Sequence, residues 1–295
     1  MISLPAFAKI NLSLELLGRR ADGYWEIRTV YQSISLCDRL RLRLRRRGGL
    51  EVRVPGGGAP AGRTNLVARI LEGARRKLGL RRGVEVEIEK SIPSARGLGG
   101  GSSDAAAALI GLLRLTGESL PEDEVFRLAA QAGSDLPAFL LGGRALGVGR
   151  GDEVYALDDA PVRYCVLLCP PWPIATRQAY AWARRLTPRR PAAKIGNSGS
   201  LQDGLWSSGN DFEPVVFPRF PELARMKAAL LRAGAEQAGL SGSGSTVYGL
   251  FAERASAEAA AAGWAQAATT FVAVTLPRPA YRQALGADRW GVVQR

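Results

Sequence analysis

Between an alternating pattern from Val84 to Lys90 and an Ala/Leu-rich pattern from Ala105 to Leu115 lies the segment Pro93-Ser-Ala-Arg-Gly-Leu-Gly-Gly-Gly-Ser-Ser-Asp104. Glycines at 97, 99, 100 and 101 let the backbone turn tightly and approach an anion closely. Successive N–H groups can then aim at phosphate oxygens while the following helix offers its positive end, the form of a phosphate-binding loop. Ser102 and Ser103 add hydroxyls at that helix start. The segment lacks the lysine of a Walker A loop and does not fit G-x-G-x-x-G, which argues against P-loop NTPases and dinucleotide-binding folds. A linker or plain turn is the alternative, but a linker is seldom followed at once by an apolar helix, and a plain turn needs one glycine rather than four.

The chain has 295 residues, 46% of them hydrophobic, and no histidine. That length accommodates one large domain or two ordinary ones. The missing histidine eliminates Ser-His-Asp and Cys-His catalysis and most zinc sites, leaving carboxylate, amine, hydroxyl and backbone groups to do any chemistry. No apolar run reaches membrane-spanning length, and Met1-Ile-Ser-Leu-Pro lacks the features of a secretory signal, so a cytoplasmic protein with no membrane partner is expected. Cys37, Cys165 and Cys169 form no C-x-x-C pair and read as buried reduced thiols.

A net charge of +13 and a pI near 10.4 point either to an anionic partner or to a surface that is merely arginine-rich. Leu40-Arg-Leu-Arg-Leu-Arg45 alternates with period two, which puts leucines on one strand face and Arg41, Arg43 and Arg45 on the other. Such a face could meet nucleic acid, but more often it is the solvated side of an edge strand.

Strand patterns run over 5–17, 26–36 and a hairpin ending near Val54, then a helix over 64–78. After the glycine loop come helical stretches at 122–132 and 135–141. Five glycines between Gly142 and Gly151 precede a new strand pattern, which sets a domain boundary near Ala160 and divides the chain into 1–159 and 160–295. The second half reads strand 162–169, helix 175–185, a Pro/Gly/Ser-rich connection over 188–208, helix 221–233, strand 246–251, helix 255–268 and strand 271–276. Strands and helices interleave without a long parallel series, an α+β pattern in two layers.

Several segments, in order along most of the chain, resemble the GHMP small-molecule kinases. They are Ala8-Lys-Ile-Asn-Leu-Ser-Leu14, Asp22-Gly-Tyr-Trp-Glu26, Thr64-Asn-Leu-Val67, Pro93 to Ala107, Gly133-Ser-Asp-Leu-Pro-Ala-Phe139, Asn210-Asp-Phe-Glu-Pro214 and Leu240-Ser-Gly-Ser-Gly-Ser245. The first, second and sixth resemble the members that act on an acceptor carrying cytidine diphosphate in the non-mevalonate isoprenoid route. The resemblance implies a ribosomal-protein-S5-domain-2-like N-terminal domain and a ferredoxin-like C-terminal domain. ATP would be the donor, with Mg²⁺, and a small cytidine diphosphate compound the acceptor, phosphorylated on a tertiary hydroxyl. No nucleic-acid partner is expected, and the state is monomer or homodimer. Two rivals stand beside it: another GHMP kinase with a mevalonate-type or amino-alcohol substrate, and a basic S5-like RNA-binding protein.

Strand period puts Phe7, Lys9, Asn11 and Ser13 on one face. The resemblance makes Lys9 the ammonium beside the reacting hydroxyl, with Asn11 on the acceptor. Asp135, before Leu136-Pro137, is placed to cap a helix; the resemblance makes it the carboxylate that orients or accepts the hydroxyl proton. ATP is expected on Asn65 and on the loop residues Pro93, Gly97, Leu98, Gly99, Gly100, Gly101, Ser102 and Ser103, with Ser102 or Ser103 within reach of Mg²⁺. Asn65 is equally a helix cap. Tyr24 and Tyr180 would clamp cytosine. Trp25 departs from the family, which usually has histidine there, and would serve cytosine through its backbone. Gly242 and Gly244 would support the phosphate loop; alone they are explained equally by a hairpin turn.

Overall fold

The computed structural model describes residues 1–57, 64–184 and 209–286, and the connection expected at 188–208 lies outside them. The first sheet contains β1 (Ile2–Arg19), β2 (Trp25–Arg45), β3 (Leu50–Arg53), β4 (Gly83–Glu89), β5 (Arg144–Val148) and β6 (Glu153–Ala156). The order is β3-β4-β2-β5-β6, with β1 also paired to β2. Where a strand over 26–36 and a separate hairpin were expected, β2 runs unbroken for 21 residues, since no glycine or proline interrupts it. β3 adds in parallel to β4 instead of closing a hairpin.

The arginine face does not stand free. Arg41 lies between β1 and β4, Arg43 and Arg45 run past the end of β1 with β4 beside them, and each arginine meets a carboxylate. Arg41 pairs with Glu87 and Glu89 at 2.9 and 2.7 Å, Arg43 with Glu85 at 2.6 Å, and Arg45 with Glu51 and Glu85 at 2.8 and 2.9 Å. Exposed pairs of this kind contribute little stability each, but together they neutralise the stripe.

Four helices belong to this half: α1 (Leu66–Lys77), α2 (Gly100–Thr116), α3 (Glu122–Ala132) and α4 (Leu136–Leu141). Leu4, Leu40, Leu42, Val84, Val86 and Ile88 from the strands bury against Ile70, Leu71, Leu109, Leu112 and Leu113 from α1 and α2. Removing that apolar area from water is the main force holding the layers together. α2 starts at Gly100 inside the glycine run, five residues before the alanine pattern begins. Gly99 makes the entry turn at φ +72°, a conformation that costs glycine little.

The second sheet orders β7 (Tyr164–Cys169), β8 (Gln237–Leu240), β9 (Val247–Phe251) and β10 (Thr269–Val274) as β10-β7-β9-β8, all antiparallel. Before β8 come α5 (Thr176–Ala183), α6 (Glu213–Val216) and α7 (Pro221–Arg232), and α8 (Arg254–Ala262) joins β9 to β10. The strand order and the packing helices α7 and α8 give the ferredoxin-like arrangement. One face buries Val166 and Leu168 against Leu223, Met226, Leu230 and Ala257. The other buries Cys165, Leu167 and Tyr248 against Ala8, Ile10 and Ile34 of β1 and β2, so the two sheets share a core. All three cysteines are free. Finally α9 (Arg278–Leu285) returns to the first core, where the Tyr281 hydroxyl donates to the Phe139 carbonyl at 2.6 Å.

Candidate active site

A cleft of about 600 Å³ opens between the halves, lined by β1, the glycine loop, the start of α4, α5 and the Ser241–Ser245 turn. Bulges in the β1–β2 ladder flank the residues that face it, between Phe7 and Lys9 and between Asn11 and Ser13. Bulges re-aim side chains. Here Phe7 joins the first core while Lys9 and Asn11 turn into the cleft. The Lys9 ammonium donates to Asn11 Oδ1 at 2.6 Å, and Asn11 Nδ2 donates to the Thr29 hydroxyl at 2.8 Å. Burial pushes the Lys9 ammonium below the ordinary lysine range, and Asp135 works against that shift.

Asp135 occupies the N-cap position of α4, yet its side chain makes no cap hydrogen bond. Its Oδ2 lies 3.7 Å from Lys9 Nζ, and its Oδ1 accepts from the Tyr31 hydroxyl at 3.2 Å. Its side chain is 35% exposed, open to a ligand in the cleft. An acceptor hydroxyl set between Lys9 and Asp135 meets a cation and a carboxylate at once.

Pro93, Gly97, Gly99, Gly100, Gly101 and Ser102 line the same cleft. The amides of Gly100, Gly101 and Ser102, in the first turn of α2, have no carbonyl partner within the helix and are free to hold an anion. Two loop residues expected to contact ATP do not face it. Ser103 spends both donors internally, its amide on Gly99 at 2.9 Å and its hydroxyl on the Phe7 carbonyl at 2.6 Å. Leu98 is 1% exposed in the shared core, and its carbonyl accepts from the Lys9 amide at 3.1 Å. Ser103 is also 1% exposed and no part of the cleft wall, whereas Ser102 lines it. Asn65 likewise caps α1, accepting from the Val67 amide at 2.8 Å, and it is Leu66 that lines the cleft.

Behind the loop, Lys90 bridges Asp38 and Asp104, with Asp104 Oδ2 at 2.6 Å. Burial pushes the Asp104 carboxyl up to about 7, against the pull of Lys90. Burial also opposes the Lys90 ammonium, but the two carboxylates outweigh it and hold it above the usual lysine value. This triad ties the end of β4 to α2 beneath the glycines.

Residues 65–143 match the family described as GHMP kinases N terminal domain, and 191–269 match GHMP kinases C terminal. The chain belongs to the GHMP kinases. A 4-diphosphocytidyl-2-C-methyl-D-erythritol kinase of Pelotomaculum thermopropionicum is 42% identical over 267 residues, covering 89% of this chain and 93% of that protein. One from Solibacter usitatus is 42% identical, covering 85% and 81%. A crystal structure of 4-(cytidine 5'-diphospho)-2C-methyl-D-erythritol kinase superposes with a TM-score of 0.78 at 31% identity, covering 93% of this chain and 99% of that one. Homoserine kinase from Cytophaga hutchinsonii has the same fold, with a TM-score of 0.66 at 19% identity and 93% and 95% covered.

In this GHMP kinase Tyr180 lines the cleft and meets Phe212 edge-on at 4.9 Å. Tyr24 is 57% exposed and stands outside the wall, with the Arg150 guanidinium 5.2 Å above its ring; Arg150 itself lines the cleft. Trp25 is no part of the wall. It packs in the core with Leu14, Leu16 and Ile27, its indole N–H lacking a hydrogen-bond partner, and its backbone pairs with Arg19 in the β1–β2 ladder.

Gly242 lies against Asn11 and Gly97, whereas a side chain at Gly244 would meet Leu240 and Ile174. The Asn210 carboxamide fixes this turn, donating to the Leu240 and Gly242 carbonyls at 2.8 and 2.7 Å. Asp211 binds β1 through the Leu16 amide at 2.8 Å. Tyr31, Lys90 and Arg150 were not singled out from the sequence. Each becomes visible only through strand register or contacts between the halves.

Proposed function

We propose that this chain transfers the γ-phosphoryl group of ATP to the tertiary 2-hydroxyl of 4-diphosphocytidyl-2-C-methyl-D-erythritol, a step of the non-mevalonate isoprenoid route. One observation carries the chemistry: Asp135 sits where a capping residue would, but turns its carboxylate into the cleft opposite Lys9. The acceptor follows from the relatives at about 40% identity over most of the chain.

In this reading the first-turn amides of α2 hold phosphate oxygens, and Asp135 orients the acceptor hydroxyl and takes up its proton. The new O–P bond forms as the γ-phosphate leaves the β-phosphate oxygen. Lys9 compensates the negative charge that spreads over the transferring group. Phosphoryl transfer asks mainly for alignment and charge compensation, which a site without histidine can supply. Among the described residues no cluster of three or more acidic or cysteine side chains forms a metal cage. Mg²⁺ would come with the nucleotide phosphates, where it would compensate their charge, and the Ser102 hydroxyl on the cleft wall is the protein oxygen that would hold it. Tyr24 and Tyr180 would supply the faces that clamp cytosine, with Arg150 beside Tyr24 at the mouth. We take the division near Ala160 as the domain boundary, with α9 returned to the first domain, and the cytoplasm as the working compartment.

The ion-paired arginine stripe speaks against the RNA-binding alternative. A coupled ADP-release assay with the cytidine diphosphate compound, mevalonate, homoserine and an acceptor lacking cytidine tests the assignment. Turnover with the first alone is expected. Equal turnover on the acceptor lacking cytidine would overturn it.

A further inference from the structure

We infer that Tyr31 is a positioning residue for phosphoryl transfer, its hydroxyl holding one oxygen of Asp135 so that the other faces Lys9 and the acceptor. The inference rests on the role proposed above for Asp135. Asn11 and Tyr31 are cross-strand partners in the β1–β2 ladder, so the ring rises beside the Lys9–Asn11 pair and lines the cleft with it. Its hydroxyl lies 3.2 Å from Asp135 Oδ1, and its ring lies 5.5 Å from the Lys9 ammonium, within cation–π range. The other acceptor within reach, the Gly151 carbonyl, is 3.5 Å away, at the limit of a hydrogen bond. The single phenolic proton therefore goes to Asp135.

The position is built rather than incidental. Two glycines clear the space the ring occupies. A Cβ at Gly147 would stand 2.5 Å from the ring edge, and one at Gly151 would stand 2.7 Å from the hydroxyl oxygen. Ala138 and Ala145 close the slot behind. Burial, and after it the Asp135 charge, pushes the phenol well above its ordinary range, so it stays a donor at any working pH. Asp135 has no cap hydrogen bond to fix its rotamer. Tyr31 supplies that restraint, and it leaves lone pairs on both carboxylate oxygens for the reacting hydroxyl.

Single-turnover phosphoryl transfer at saturating ATP and acceptor tests this in Tyr31→Phe, Asp135→Asn and the double variant. Losing a hydrogen bond to a charged group should slow Tyr31→Phe roughly 10- to 100-fold, with KM for both substrates and the melting temperature nearly unchanged. In the Asp135→Asn background the same change should cost nothing further, because the group it positions is gone. A full-rate Tyr31→Phe beside an impaired Asp135→Asn would overturn the inference. So would losses that multiply in the double variant, the mark of a structural role acting independently. A full-rate Asp135→Asn would instead overturn the role given to Asp135 itself.

Discussion

The Ser241 hydroxyl donates to the Gly97 carbonyl at 2.9 Å, binding the phosphate loop of one half to the glycine turn of the other. The contact is closed to any side chain: a Cβ on Gly97 would stand 2.0 Å from the Ser241 carbonyl oxygen, and Gly97 has φ +78°. Gly97→Ala should therefore lower stability by roughly 1–3 kcal/mol and raise the KM for ATP. Gly101→Ala, whose nearest neighbour would be 3.7 Å away, should melt normally. Equal thermal melting of the two variants would refute the latch.

Asp135→Asn keeps size and removes charge. Turnover should fall roughly 10²- to 10⁴-fold. ATP affinity should hardly move, while some thermal stability should be lost, because the carboxylate is the partner that offsets the burial of the Lys9 ammonium. Calorimetry beside single-turnover kinetics checks both. A normal rate in the folded variant would place the catalytic group elsewhere.

Lys9→Met should depress turnover while raising stability. Burial lowers the folded-state pKa of Lys9 below its unfolded value, so a charged Lys9 penalises folding near neutral pH. That penalty is relieved as pH rises through the folded pKa toward the ordinary lysine value of 10.5. The stability gap between Lys9→Met and the parent should accordingly be widest near neutrality and close toward pH 10.5. Denaturant melts across that range would show a constant gap if the ammonium were as well solvated folded as unfolded.

Two neighbours should separate cleanly. Trp25→Ala empties a core position and should cost roughly 3–5 kcal/mol of stability. Tyr24→Ala should leave the fold intact and weaken acceptor binding by roughly 1–3 kcal/mol through loss of a stacking face. Acceptor titrations paired with melting curves distinguish them, and a destabilised Tyr24→Ala with normal acceptor affinity would reverse the assignment.

Replacing Arg41, Arg43 and Arg45 together by Gln should leave turnover unchanged. A functional RNA surface would instead reveal itself as binding that weakens steeply with added salt and is lost in the triple variant.

The loop was legible because glycine spacing and the strand and helix periods are local properties. So were Lys9 and Asn11, which strand alternation puts on one face. What local reading misassigned were residues whose neighbours lie far along the chain. Ser103 looks like a phosphate ligand until β1 supplies the Phe7 carbonyl 96 positions away. The arginine stripe looks cationic until β4 is laid beside β2. β5 was hidden among the five glycines from 142 to 151, whose turn signal masks a short strand, and β8 and α6 have four residues each, too few to show a period.

The return of α9 makes the first half discontinuous in sequence. Tyr281 stacks obliquely on Phe7, ring centres 5.4 Å apart, and with Leu285 seals the face formed by β1 and α4. A fragment ending at 159 would carry an uncovered apolar trench where that helix sits, and would be prone to self-association. The ferredoxin-like half is thus an insertion framed by two pieces of its neighbour, and neither half can melt without loosening the frame of the other.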